Sequence, residues 1–121
     1  MKLLSYRKRD IFGIGIVIGS RVLDINETVK NNFGGAFMDI TMDEVSDMIS
    51  FLCLGEKGLS EARKAIEWVT EQIALDQDVK GLVDLDKIDV EAPIPRPRKG
   101  IVCLGLNYSD HVAEGSKTLD E

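Results

Sequence analysis

The alternating segment from Phe12 to Ile18 constrains the fold more than any other stretch of this sequence. Its large apolar side chains recur at every second position, with two glycines and a valine between them. This period of two is typical of a half-buried β-strand. Gly19-Ser20 then predicts a two-residue hairpin turn, and residues 21–25 are expected to return as the partner strand. Residues 2–6 form another predicted strand, which the charged residues 7–10 end.

The glycines in this region invite comparison with a nucleotide-binding loop. Gly13, Gly15 and Gly19 have the spacing G-x-G-x-x-x-G, which differs from the dinucleotide fingerprint. They also lie within a strand pattern, and no helix is predicted to follow them. We therefore expect Gly13 and Gly15 to allow a close approach of backbone or a bend in the sheet.

Two helices are predicted in the middle of the chain. Residues 41–44, Thr-Met-Asp-Glu, have the form of a capping box, and apolar residues follow at helical spacing up to Leu52. Gly55 is expected to end this helix and Ser60 to cap the next. The apolar stripe of the second helix consists of Ala62, Ala65, Ile66, Val69 and Ile73, with Trp68 at its edge. A small antiparallel sheet with two helices makes an α+β fold.

The three prolines of the chain all fall within residues 93–97. Because proline fixes φ and lacks an N–H donor, this segment predicts an extended, stiff connector. Residues 1–92 are therefore expected to form an N-terminal α+β domain, residues 93–98 a proline-rich linker and residues 99–121 the start of another domain. The acidic segment from Asp76 to Asp89 lacks the glycine and terminal glutamate of a calcium loop and is predicted to be solvated surface, before a short strand at 88–91.

Charge and composition exclude several classes of function. The net charge of −6 is unfavourable for a nucleic-acid partner, which needs a basic surface. No apolar run reaches the 18 residues of a membrane span, and the N-terminus has no signal-peptide h-region. The two cysteines, Cys53 and Cys103, lie in apolar surroundings without C-x-x-C spacing, so we expect buried, reduced thiols in a cytoplasmic protein.

Polar and titratable side chains concentrate after a short apolar run, Ile101–Leu104, which predicts a buried strand. Gly105 interrupts the run, and the chain's only histidine follows within the sequence G-L-N-Y-S-D-H-V-A-E. If a helix begins here, His111 and Glu114 share a face, although Asp110 and Glu114 are four residues apart and on geometry alone either acid could be the partner of the histidine. A carboxylate beside an imidazole suits a general base, yet a lone histidine at a helix start is more often a surface or capping residue.

The same ten residues resemble the signature of the fumarylacetoacetate hydrolase family. The preceding A-P-I-P-R-P-R-K-G-I-V-C resembles the family's approach to that signature, and M-K-L-L-S-Y resembles the N-terminal domain of many prokaryotic members. The resemblance implies metal-dependent cleavage, decarboxylation or isomerisation of oxo acids such as acylpyruvates and 2-hydroxy-dienedioates. It assigns the catalytic pair to His111 and Glu114, and support of the turn or substrate to Gly105, Asn107 and Tyr108.

The resemblance also implies a Mg²⁺ or Mn²⁺ cofactor, held in the family by acidic residues well downstream of the histidine. The seven residues after Glu114 do not match that ligand pattern. We therefore expect this polypeptide to be the N-terminal portion of such an enzyme, with the first strand and the lid helix of a truncated β-rich catalytic domain, binding no metal and inactive by itself.

The alternative interpretation is a non-catalytic interaction or oligomerisation module. Family members commonly assemble, so the resemblance implies a homo-oligomer, and an exposed edge at Ile101–Leu104 predicts strand exchange between chains. The expected partner of the whole enzyme is a small oxo acid, with neither nucleic acid nor membrane involved.

Overall fold

The computed structural model describes residues 1–99, which fold as α+β with a five-stranded antiparallel sheet and three α-helices. The expected strand and lid helix of a catalytic domain lie outside these residues. Three consecutive strands make a meander: β1 (Leu3–Lys8), β2 (Ile11–Ile18) and β3 (Arg21–Asp24). The predicted hairpin is confirmed, because Ile18 pairs with Arg21 across the two-residue turn, where Gly19 has a φ of +62°.

Two short strands complete the sheet at its edges. β4 (Leu82–Asp84) pairs with β3, and β5 (Asp89–Glu91) pairs with β1, which gives the order β4-β3-β2-β1-β5. β5 confirms the predicted strand at 88–91. β4 lies in the segment predicted to be solvated surface, and Val79 and Ile88 of that segment are buried. The acidic composition concealed β4 because a three-residue edge strand needs few apolar side chains.

The sheet is curled, as the connection between its two edges requires. Four strand spacings of about 4.8 Å would separate β4 from β5 in a flat sheet by about 19 Å. The link has only residues 85–88, three of which form a 3₁₀ turn with a rise of about 2 Å per residue. Leu85 and Ile88 of this link pack against Leu4, Tyr6 and Val22, forming a second, smaller apolar cluster.

The helices differ from the prediction in number and in where they begin. α1 (Ile25–Asn31) was not predicted, and residue 25, expected to end β3, is its first residue. The capping-box hydrogen bonds are present, with the Thr41 N–H donating to Glu44 Oε1 at 3.0 Å. However, the box starts a 3₁₀ turn, and α2 (Met48–Leu52) begins only after Asp47, whose side chain accepts from the Ser50 N–H at 2.7 Å.

The third helix, α3 (Glu56–Ala74), is longer than predicted. Ser60 lies inside it and does not cap it, so that prediction is wrong. Gly55, with a φ of +60°, immediately precedes α3 instead of ending α2. Both misplacements have one cause: α2 and α3 are separated by only three residues, so the apolar periodicity runs on with little interruption.

The main core lies between the sheet and the helices. The predicted stripe of α3 is confirmed, since Ala62, Ala65 and Val69 are fully buried against strand residues such as Ile14 and Ile16, with Trp68 packed at the edge. The loop before α2 is anchored by the buried Phe37, whose ring centroid lies 6.4 Å from that of Phe51.

The prediction of a buried thiol is wrong for Cys53, which is exposed at the end of α2. Its neighbours in sequence are apolar, but the short helix directs only Met48 and Phe51 into the core. Cys103 lies outside the described residues. Within residues 1–99, no helix is both long and apolar enough to cross a membrane.

Candidate functional site

The five residues assigned to the site from sequence lie outside the described part of the chain. They are Gly105, Asn107, Tyr108, His111 and Glu114, and their roles stay predictions. The described residues nearest to them in sequence are 92–99, here called the connector, which contains the predicted proline-rich linker 93–98. The structure shows which residues surround the connector. The sequence predicted the connector itself but not these neighbours.

A groove of about 370 Å³ lies beside the connector. Its apolar wall comes from Phe12 of β2 and from Met48 and Ile49 of α2, and the connector contributes Ile94 and Pro95. The polar groups around it are Arg7, Ser46, Asp47, Glu91 and Arg96. The connector thus forms one side of the groove instead of projecting away from the domain, and its backbone bends over residues 93–96. The predicted extended connector is therefore curved along the surface.

The charges around the groove largely balance one another. Arg7 Nε lies 3.1 Å from Glu91 Oε1, which joins β1 to β5. The Ser50 N–H holds the pKa of Asp47 below its usual range, with a smaller contribution from the positive charge of Arg98. The lining of the groove therefore carries two carboxylates and two arginines, Arg7 and Arg96, and Arg98 is a third positive charge near Asp47.

A buried hydroxyl attaches the connector to the sheet. Ser5, in the middle of β1, is fully buried, and its Oγ donates to the Pro93 carbonyl at 2.6 Å. This contact joins residues 88 positions apart in the chain. The sequence carried one signal of it: Ser5 is a small polar residue in an otherwise apolar strand segment, L-L-S-Y. Buried polar groups are nearly always hydrogen-bonded, but sequence cannot name the partner.

A second polar contact lies on the opposite face of the sheet. The buried Tyr6 hydroxyl donates to Asp24 Oδ2, and Asp24 Oδ1 accepts from the Glu27 N–H at 2.8 Å at the start of α1. Burial raises the pKa of Asp24, while the Glu27 amide acts against that shift. Both carboxylate oxygens are engaged within the fold, so this pair is structural.

The structure refines the role predicted for Gly13 and Gly15, which was to allow a close approach of backbone or a bend in the sheet. A Cβ at Gly13 would lie 3.0 Å from the Tyr6 ring, and one at Gly15 would lie 2.4 Å from Val22 Cγ1. The close approach is therefore mainly by side chains, and only the Leu23 carbonyl oxygen, 3.1 Å from a Gly15 Cβ, belongs to backbone.

Two curated proteins are similar to this chain over most of its length. One is the oxaloacetate tautomerase YisK of Bacillus subtilis, 27% identical over 109 residues, or 88% of this chain and 33% of that protein. The other is the mitochondrial oxaloacetate tautomerase Fahd2a of Rattus norvegicus, 34% identical over 89 residues, or 71% of this chain and 25% of that protein. No family model matches.

The chain belongs to the fumarylacetoacetate hydrolase family. The alignment with the Bacillus protein covers 88% of 121 residues, so wherever it begins it includes both the connector and Gly105. The similarity therefore extends from the described residues to the start of the signature. The chain spans about a third and a quarter of the lengths of these two relatives.

The metal implied by the family has no ligand set in the described residues. Within residues 1–99, no three histidine, cysteine, aspartate or glutamate side chains converge where they could hold an ion. Asp84 and Asp86 are exposed, and Lys87 Nζ lies 3.5 Å from Asp84 Oδ2. The described residues therefore do not offer a site for the family's metal.

Proposed function

We propose that this chain is the N-terminal portion of a fumarylacetoacetate hydrolase-family enzyme that interconverts the enol and keto forms of oxaloacetate or a close 2-oxo acid. The single observation that carries this proposal is that both similar proteins, one bacterial and one mitochondrial, are named oxaloacetate tautomerases. They favour isomerisation over the hydrolysis and decarboxylation that the signature alone leaves open.

The chemistry required is a proton transfer. In the enol-to-keto direction the hydroxyl on carbon 2 loses its proton, carbon 3 gains one, and the double bond moves from C2=C3 to C2=O. No other bond forms or breaks, so a positioned acid–base group is the central requirement. We propose that His111 serves this role with Glu114 as its partner, because their spacing matches the family signature and imidazole titrates near neutral pH. Mg²⁺ or Mn²⁺ dependence is part of the proposal and rests on the family resemblance.

The experiment is a ketonisation assay on the natural polypeptide that carries this chain, including any sequence encoded after Glu121. The ultraviolet absorbance of enol oxaloacetate is followed with and without Mg²⁺ or Mn²⁺. We expect catalysed ketonisation, with His111→Ala lowering kcat by roughly 10²-fold or more, as is typical for loss of a general acid–base group. Glu67→Gln, on the exposed side of α3, is the control and should leave the rate unchanged.

Two results would contradict the proposal. Hydrolysis of an acylpyruvate without any effect on oxaloacetate ketonisation would reject the tautomerase function while keeping the family. Full activity in His111→Ala would reject the role of the histidine. We also propose that the 121-residue polypeptide assayed alone is inactive, and turnover by that polypeptide would refute this part.

A further inference from the structure

We propose that the first five residues of the connector, residues 92–96, are a fixed bracket and that Ser5 is the positioning residue that holds it. The bracket would set the direction in which the chain leaves the N-terminal domain towards the signature that begins at Gly105. This role in catalysis rests on the proposed function, whereas the docking of the bracket rests on the contacts of described residues alone.

The first observation is the hydrogen bond between Ser5 Oγ and the Pro93 carbonyl. Ser5 is fully buried, and no buried side-chain oxygen or nitrogen within residues 1–99 lacks a partner. If the bracket moved away, the Ser5 hydroxyl would lose this acceptor inside the sheet. An unsatisfied buried hydroxyl is unfavourable, so the docked position is favoured over a free linker.

The second observation concerns the residues on either side of Pro93. Before it, β5 is paired with β1, and Glu91 forms an ion pair with Arg7. After it, Ile94 and Pro95 line the same groove as Met48. The segment is thus held before and at Pro93 by contacts that all go to β1, and after Pro93 it lies along the groove.

The third observation is the proline spacing. Prolines at positions 93, 95 and 97 each fix one φ angle and restrict the residue before them, which reduces the conformational freedom of the backbone between the Ser5 contact and Arg98. A direction set at Pro93 is therefore largely kept up to residue 98, only seven positions before Gly105. Sites that depend on proton transfer are sensitive to small errors in position, so such a constraint would matter for catalysis.

The docking is tested by ¹⁵N relaxation on the 121-residue chain, read at the Ile94 and Arg96 amides. We expect order parameters close to the rigid value of about 0.85 in the wild type and below about 0.6 in Ser5→Ala. Thr28→Val is the matched control, because it removes a fully buried hydroxyl that bonds the Asp24 carbonyl at 2.8 Å, away from the connector. It should leave both amides rigid even if it lowers overall stability.

A second variant keeps the test decisive if Ser5→Ala folds poorly. Ile94→Asp changes a side chain that is 40% exposed and lines the groove, so it should loosen the Arg96 amide without disturbing the sheet. Low order parameters at both amides in the wild type would overturn the bracket. Rigid amides in Ser5→Ala would overturn the role of Ser5.

The catalytic role is tested separately in the natural polypeptide used for ketonisation. Ser5→Ala should lower kcat several-fold with little change in KM, and Thr28→Val should leave kcat unchanged. Equal kcat values for wild type and Ser5→Ala would refute positioning. If no ketonisation is found at all, the proposed function fails and the catalytic role fails with it, but the relaxation result still decides whether the bracket exists.

Discussion

The hydrogen bond between Tyr6 and Asp24 should make the stability of this domain depend on pH in a defined way. Tyr6→Phe removes only the hydroxyl and leaves a ring that is 5% exposed in the wild type. Asp24 then loses its donor at Oδ2 but keeps the Glu27 amide at Oδ1. Hydrogen bonds to charged groups contribute about 1.5–3 kcal/mol. Since Asp24 is only partly buried, we expect the lower part of that range, a loss of about 1.5–2 kcal/mol near neutral pH.

The sign of the pH effect follows from the direction of the Asp24 pKa. Burial raises this pKa, so the folded state holds the proton more tightly than the unfolded state does. The resulting contribution to stability is fully present below the ordinary pKa of aspartate and is lost as pH rises through the folded value. The Tyr6 hydroxyl limits that loss by stabilising the ionised form. Removing it should therefore raise the pKa of Asp24 further and cost most where the carboxylate is charged.

The assay is urea unfolding followed by circular dichroism at pH about 7 and again at about pH 4, near the ordinary aspartate value. We expect the difference in unfolding free energy between wild type and Tyr6→Phe to shrink at the lower pH to about 0.5–1.5 kcal/mol, the range of a neutral hydrogen bond. Repeating Tyr6→Phe in an Asp24→Asn background is the control, since no charge remains there and the cost should not vary with pH. A cost that is the same at both pH values in the wild-type background would refute this reasoning.

Two further predictions concern other contacts of the domain. Gly15→Ala places a Cβ 2.4 Å from Val22 Cγ1, so it should lower the free energy of unfolding by about 1–3 kcal/mol, measured by thermal unfolding. A double-mutant cycle with Val22→Ala should show strong coupling. Additive effects of the two substitutions would contradict the clash. Glu61 accepts from the Phe37 N–H at 2.8 Å, and this bond holds the pKa of Glu61 below its usual range. The contribution of this bond to stability is present above the ordinary glutamate pKa and is lost as pH falls through the pKa of the folded state. Glu61→Gln should therefore reduce the loss of stability on acidification. An acid-unfolding curve that the substitution leaves unchanged would contradict this prediction.

The elements that could be predicted from sequence are those whose pattern is fixed locally. The β2–β3 hairpin follows from strict alternation and a glycine turn, and α3 follows from its stripe of small apolar residues. α1 could not be predicted in this way, because its seven residues depend on the Asp24 cap and on burial of Ile25 and Val29 in the core. For such a short helix, tertiary packing supplies most of the stability.

The same distinction between local pattern and tertiary packing applies to the candidate site. The signature around His111 is a contiguous motif, so it is visible in the sequence and points to a family. The groove is assembled from four separate segments, which bring Arg7, Phe12, Asp47 and Ile94 together. No periodicity or spacing relates these positions to one another. Only the sheet register and the placement of α2 make them neighbours.

The register of β1 links the two polar contacts that organise the domain. Successive residues of a strand face opposite sides, so Ser5 and Tyr6 serve different faces: Ser5 bonds the Pro93 carbonyl and Tyr6 bonds Asp24. A slip of one residue would exchange these positions and break both hydrogen bonds at once, besides moving Leu4 out of its cluster. Burial of Ile14 and Ile16 on one face of β2, and the close packing of Tyr6 on Gly13 on the other, oppose the same slip. The two hydrogen bonds therefore add to the packing that specifies the alignment of β1 with β2, and the same alignment places the connector beside the groove.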